Sequence, residues 1–327
     1  MSENHDPGVD RARERGQAES PRSTRFVRGG CEIRVGTASW TDRTITAKGA
    51  FYPPEAKTPE ARLRYYASRF AIVEADAGFY AIPDRTVTSN WVGRTPDDFV
   101  FNLKAHALMT GHATEVARLP RDLRAELPET IGPRVYAKDL PPELRDEVWR
   151  LFRVAARPLA DAGKLGVILL QLAPWIRPSK HTPAMLTRIR ERSGDLPIAV
   201  EFRDPSWMAP RLRERVWAQL RDHGITYVVP DTPPGTPTSM PIAPAITTPE
   251  LAVVRMHGRR SEMWGAREAS VVEKYRYLYD ANELEEWLSL ILELAEEAER
   301  VHVIFNNCYA NYGTTNALEM AGLIERG

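Results

Sequence analysis

Pairs of ionisable residues two positions apart recur through this sequence: Glu74 and Asp76, Lys104 and His106, Glu201 and Arg203, Arg255 and His257. Each pair closes a short apolar run. Along an extended strand alternate side chains share a face, so both members of a pair project to one side. Lys104, Arg203 and Arg255 supply forked or multiple donors for a phosphate or carboxylate, and Glu201 or Glu74 can move a proton as general acid or base. The plain alternative for any one pair is a structural ion bridge closing a core, because a buried carboxylate is costly unless paired. On that reading Arg203 is the obvious neighbour for Glu201.

Other polar residues follow apolar runs in the same way: Gln171, Asp231, Asn306 and Asn307. Trp40, Phe79, Tyr80, Trp207, Trp264 and Tyr275 stand just beyond the runs. Aromatic rings beside charged groups suit the stacking of a sugar ring or a base, although each ring taken singly is as well explained by packing. A metal site could be assembled from Glu74, Asp76, His106, Glu201, Asp231 and His257. Lys104, Arg203 and Arg255 interleave with those ligands and would repel a divalent ion, so no metal and no cofactor is expected.

The elements that must position these residues can be counted. Apolar, β-branched runs predict strands at residues 33–38, 71–76, 99–104, 165–171, 198–203, 225–229, 251–257 and 301–306. Between them, helical spacing or helix-start signals recur. Thr58-Pro59 supplies an N-cap and an N1 proline ahead of Leu63, Tyr66, Ala67 and Phe70. Pro83-Asp84 opens a short helix with Val87 and Trp91 expected inward, and Pro141-Pro142 opens a longer one with Leu144, Val148, Leu151, Phe152 and Ala155 on its apolar face. Leu212, Val216, Trp217 and Leu220 mark another helix face. Asn282 and Glu285 have capping-box spacing before Leu284, Trp287, Leu288, Ile291 and Leu294. Residues 232–249 are too rich in proline for a helix, which degrades the sixth unit, and residues 110–140 read as an insertion with a helical turn or two.

Eight strands alternating with helices predict an α/β fold, a single (β/α)8 TIM barrel, rather than an open sheet, since no GxGxxG turn follows the first strand. In such a barrel sites are built at the carboxyl ends of the strands, where the ionisable pairs lie. The barrel domain is expected over 31–327. Residues 1–30 mix Arg, Glu, Ser, Gly and Pro with few large apolar residues and are expected to form a disordered tail.

Lysine plus arginine and aspartate plus glutamate number 44 each, so no net field draws the chain to nucleic acid or membrane. No stretch has the length or apolarity of a membrane span or a signal-peptide core, so no membrane partner is expected and the expected location is the cytoplasm. The two cysteines, Cys31 and Cys308, are expected to be unbonded.

A set of motifs in fixed order resembles a known family. These are Ile33-Arg-Val-Gly-Thr-Ala-Ser-Trp40, Phe51-Tyr-Pro, Leu63 to Phe70, Val73-Glu74 to Phe79-Tyr80, Phe99 to Lys104, Gln171-Leu172, Glu201-Phe-Arg-Asp-Pro-Ser-Trp207, Arg255-Met-His-Gly258 and Phe305-Asn306-Asn307. Together, over about residues 33–325, they resemble the YecE-like family, domain of unknown function 72. The resemblance implies a TIM barrel and assigns no activity. Departures from the family pattern fall at Ala75-Asp76-Ala77-Gly78, at Cys308-Tyr309 and in a longer insertion over residues 113–139.

The residues favour a metal-independent hydrolase or lyase acting on a small anionic or sugar-like ligand. Glu201 and Glu74 would be catalytic, and Lys104, Gln171, Arg203, Trp207, Arg255, His257, Asn306 and Tyr80 would bind the ligand. The alternatives are nucleic-acid binding or processing by an endonuclease-like barrel, and a metal-dependent isomerase or nuclease. Nothing in the sequence sets an oligomeric state.

Overall fold

Short apolar runs bounded by polar exits pair into a sheet whose strands lie within a residue or two of their expected positions. The computed structural model describes residues 6–18, 23–47, 50–264 and 271–327. Its strands are β1 (Arg25–Arg28), β2 (Cys31–Ala38), β3 (Ile72–Ala75), β4 (Val100–Lys104), β5 (Thr114–Glu115), β6 (Arg134–Val135), β7 (Leu165–Gln171), β8 (Ile198–Glu201), β9 (Thr226–Asp231), β10 (Ala252–Met256) and β11 (Arg300–Phe305). In the main sheet the order is β1-β2-β11-β10-β9-β8-β7-β4-β3, and β3 pairs back to β2. Eight of these strands thus close a parallel barrel, the architecture of a TIM barrel, with β1 added antiparallel to β2. β5 and β6 form a separate antiparallel ribbon.

The helices are α1 (Pro7–Ala18), α2 (Pro59–Arg69), α3 (Arg85–Gly93), α4 (Arg121–Ala125), α5 (Pro142–Asp161), α6 (Thr182–Ser193), α7 (Arg213–Asp222), α8 (Ser261–Trp264), α9 (Val271–Lys274), α10 (Ala281–Glu297) and α11 (Tyr312–Arg326). Local signals set several starts. Thr58 accepts from Ala61 N–H with Pro59 following, and Asp84 accepts from Thr86 N–H. The proline-rich stretch 232–249 contains no helix. No helix among the described residues is long and apolar enough to cross a membrane.

Three expectations need correction. The capping box of α10 is made by Asp280 and Glu283, two residues before the expected pair, because Asp280 is the residue whose extended backbone lets its carboxylate reach the Glu283 N–H. Val87 is 41% exposed, and α3 instead buries Thr88 and stacks Trp91 on Phe101 at 5.6 Å. Within the leading thirty residues the disorder expectation is narrowed. Pro7–Ala18 is helical and Arg25–Arg28 is a strand, while residues 1–5 and 19–22 lie outside the described residues. Polar contacts hold α1 where apolar ones are scarce: Arg15 donates to Glu319 at 2.7 Å and to the Tyr279 carbonyl at 2.7 Å, and Thr315 donates to the Ala12 carbonyl at 2.8 Å.

The chain divides into two compact units, Met1–Val73 with Val229–Gly327, and Glu74–Val228. The first unit holds both cysteines, which are free. It also holds a point where only glycine fits. A Cβ on Gly36 of β2 would collide with the carbonyl oxygen of Ile72 in β3, and a backbone atom cannot swing aside. Gly36→Ala is therefore expected to cost at least about 2 kcal/mol, the upper part of the usual overpacking range. Its denaturant midpoint should fall well below that of the parent chain; an unchanged midpoint would show that the β2–β3 contact is loose.

Candidate functional site

In the Glu74–Val228 unit the ends of β3, β4, β7 and β8 carry Glu74, Lys104, Gln171 and Glu201. Glu74 and Glu201 are fully buried. β7 and β8 run in register with Gln171 opposite Glu201, and Gln171 Nε2 donates to Glu201 Oε1 at 2.7 Å. That bond stabilises the charged carboxylate and fixes its plane.

The register extends one strand further. Lys104 of β4 is opposite Leu169, and Ala105 N–H donates to the Leu169 carbonyl at 2.9 Å, which holds the chain against β7 up to the residue before His106. His106 is fully buried, and burial lowers its pKa to about 4. Its Nδ1 accepts from Leu108 N–H at 3.4 Å, which leaves the proton on Nε2. Among the described residues Nε2 meets no hydrogen-bond partner. The Gln171 amide and the Glu201 carboxylate are thus joined across β7 and β8, and the buried His106 follows the end of β4 by two residues.

The same unit holds a cavity of about 340 Å³ lined by Phe79, Tyr80, His112, Tyr136 and Trp175, with Arg118 and Arg134 among its polar residues. Local structure brings these together. The loop after β4 turns at Gly111, whose φ of 83° suits glycine and whose bare Cα admits Ile176. Ala173 N–H then donates to the Thr110 carbonyl at 3.0 Å, tying the loop after β7 to the loop after β4. His112 and Trp175 end 5.6 Å apart, edge to face, and His112 and Phe79 are 5.1 Å apart in the same manner. The insertion supplies the remaining wall. Its ribbon pairs Thr114 with Val135 and Glu115 with Arg134, over a small core of Val135, Leu119, Leu123 and Leu140.

Charge gathers at the Phe79–His112 wall. Lys104 Nζ stands 4.8 Å from the centre of the Phe79 ring. His112 is held neutral to about pH 4, first by burial and then by the charges of Lys104 and Arg203. The strand-end cations therefore raise a positive potential beside an aromatic cavity.

Trp207 is placed differently. It is fully buried, stacked on Phe202 at 4.1 Å, and its indole N–H donates to the Ile176 carbonyl at 2.7 Å, so it props the loop after β7 and both its faces are enclosed. Tyr80 is 47% exposed and lines the cavity. The other unit contains Arg255, His257 and Asn306, all buried. They are bonded to one another: Asn306 Nδ2 lies 2.8 Å from His257 Nδ1, and Arg255 Nη1 lies 3.4 Å from His257 Nε2. In the same unit Asp231 is tied down by Tyr279 and Arg259. Among the described residues no three of His, Cys, Asp and Glu gather as a group able to hold a metal ion.

His112, Arg118, Arg134, Tyr136 and Trp175 are absent from the residues that the strand pattern singled out. Apart from Arg134 in the two-residue β6, they sit outside the strands of the sheet, where no periodicity marks them, and for those between β4 and α5 the one available signal was the length of the insertion.

Comparison with known proteins gives a consistent picture. A family model described as protein of unknown function DUF72 matches residues 34–327. The UPF0759 protein YunF of Bacillus subtilis (strain 168) is 31% identical over 297 residues, covering 90% of this chain and 95% of its own length. Two solved structures are similar throughout. A DUF72 family protein from Thermotoga maritima MSB8 is 29% identical with a TM-score of 0.72, covering 90% of this chain and 99% of its own. One from Enterococcus faecalis V583 is 26% identical with a TM-score of 0.69, covering 90% and 97%.

Proposed function

The chain belongs to the DUF72 family, and we propose that it is a metal-independent hydrolase or lyase acting on a small phosphorylated, carboxylated or sugar-like ligand at the strand ends of its Glu74–Val228 unit. The observation that carries this reading is that Lys104 Nζ stands 4.8 Å from the Phe79 ring in the wall of a cavity of ligand size. An anion entering there is met by an ammonium and a guanidinium group, and the buried His106 N–H is a further donor. Glu201, oriented by Gln171, acts as the general acid or base. Glu74 is the second carboxylate at the same strand ends.

Two measurements test the reading. Calorimetric titration with inorganic phosphate should show saturable binding that Lys104→Ala and Arg203→Ala each weaken about 10- to 100-fold, the worth of one hydrogen bond to a charged group. In a turnover screen over phosphate and carboxylate derivatives of sugars, Glu201→Gln should abolish activity and leave binding intact, because shape is kept and the titrating group is lost. Turnover that depends on an added divalent metal and survives Glu201→Gln would sink the proposal.

A further inference from the structure

The cavity beside the strand ends contains more than an anion requires. Among the described residues the exposed large aromatic side chains are Tyr80, Tyr136 and Trp175, and all three line this one cavity. Isolated exposed rings are ordinary; their concentration in a single concavity marks a binding surface. The rings are also fixed in advance. Tyr80 meets Phe79 edge to face at 5.3 Å, Phe79 meets His112, and His112 meets Trp175, so edge-on contacts run in series from Tyr80 to Trp175 and hold these four rings in place.

Between the rings stand paired polar groups. Glu115 and Arg118 form an ion pair at 2.9 Å, and the Arg118 guanidinium lies 5.8 Å from the centre of the Tyr80 ring. We propose that this cavity is the subsite for a sugar ring, and that the ligand of the protein is accordingly a monosaccharide carrying a phosphate or carboxylate. A sugar ring has C–H faces that lie against aromatic rings and neighbouring hydroxyls that both donate and accept, which a carboxylate and a guanidinium side by side can satisfy together. A heteroaromatic base would also stack on the rings and offer an edge of donors and acceptors, so nucleotides enter the test as the competing ligands. The volume of about 340 Å³ sits at the low end of small-molecule sites, enough for one substituted ring and too little for a polymer. Lys104, 4.8 Å from the Phe79 ring, is placed to take the anionic group. The insertion that forms the Thr114–Val135 ribbon is on this view the specificity element of the barrel.

The inference rests on the anion reading above, and the test separates the two. The full chain is titrated calorimetrically with inorganic phosphate, with a panel of hexose and pentose phosphates and hexuronates, and with AMP and UMP. At least one sugar anion is expected to bind at least 10-fold more tightly than inorganic phosphate. Trp175→Ala, at an exposed position and checked for folding by circular dichroism, is expected to remove that advantage and leave phosphate affinity unchanged. Tyr136→Ala serves as a second variant should Trp175→Ala fail to fold. Phosphate binding with no gain from any sugar, or tighter binding of a nucleotide than of every sugar anion, overturns the sugar subsite and leaves the anion site standing. Failure of phosphate and of every sugar anion, in the parent chain as in Lys104→Ala, overturns both.

Discussion

Acidification from pH 6.5 to pH 5 is expected to remove about 3 kcal/mol of folding stability, before most carboxylates begin to titrate. His106 and His302 are the source. Both are buried, and burial lowers the first to about pKa 4; burial, then the charges of Arg300 and Arg34, lowers the second to about 3. A histidine whose folded pKa lies below its unfolded value near 6.5 takes up its proton in the unfolded chain first. The stability is therefore whole above pH 6.5 and is lost as pH falls toward the folded pKa, at about 1.4 kcal/mol per pH unit for each group. The slope is half its limiting value at pH 6.5 itself, so over that interval each imidazole accounts for about 1.6 kcal/mol, and the sum is a large part of the stability of an ordinary domain. His112 shifts in the same direction but is only half-buried, so its share is smaller. Urea midpoints at pH 7, 6.5, 6, 5.5 and 5 give the profile. His302→Asn should flatten it by about half. A profile that is level between pH 6.5 and 5 would mean that these imidazoles are solvated.

Asp231→Ala is expected to destabilise the chain by about 3–5 kcal/mol, the range for removing one partner of a buried ion pair. Asp231 is 2% exposed. Its Oδ2 accepts from Tyr279 Oη–H at 2.6 Å and from Arg259 Nε–H at 3.0 Å, while the Tyr279 hydroxyl oxygen accepts from Gly258 N–H at 2.7 Å. Truncation would strand a fully buried phenol and remove the principal counter-charge of Arg259, whose other ion pairs among the described residues are with Glu283 at 3.3 Å and Glu286 at 3.5 Å. Asp231→Asn keeps an acceptor for Tyr279 and should cost less than half as much. Thermal and urea unfolding of the two variants check the ordering. An Asp231→Ala protein as stable as its parent, with altered phosphate binding, would move Asp231 from scaffold to site.

The sequence by itself determined the barrel. Each strand is an apolar, β-branched run whose pattern is complete within a few neighbouring residues, and the alternation of such runs with capped amphipathic segments leaves few other architectures open. Several helix starts were legible for the same reason: Thr58 and Asp84 act on amides two or three residues away. Tertiary structure decided the rest. That Gln171 orients Glu201 depends on the register of β7 against β8, and that Trp207 is enclosed depends on Phe202 and on the carbonyl of Ile176. Asp231 and Glu201 look alike as polar exits from strands. One is tied down by Tyr279 and Arg259, the other accepts from Gln171, and no local pattern distinguishes them. The aromatic cavity was the least legible feature, because Tyr80, His112, Tyr136 and Trp175 come from separate loops. They meet only after Thr114 pairs with Val135 and Ala173 bonds to Thr110, and contacts that form between distant loop segments leave no periodicity in the chain.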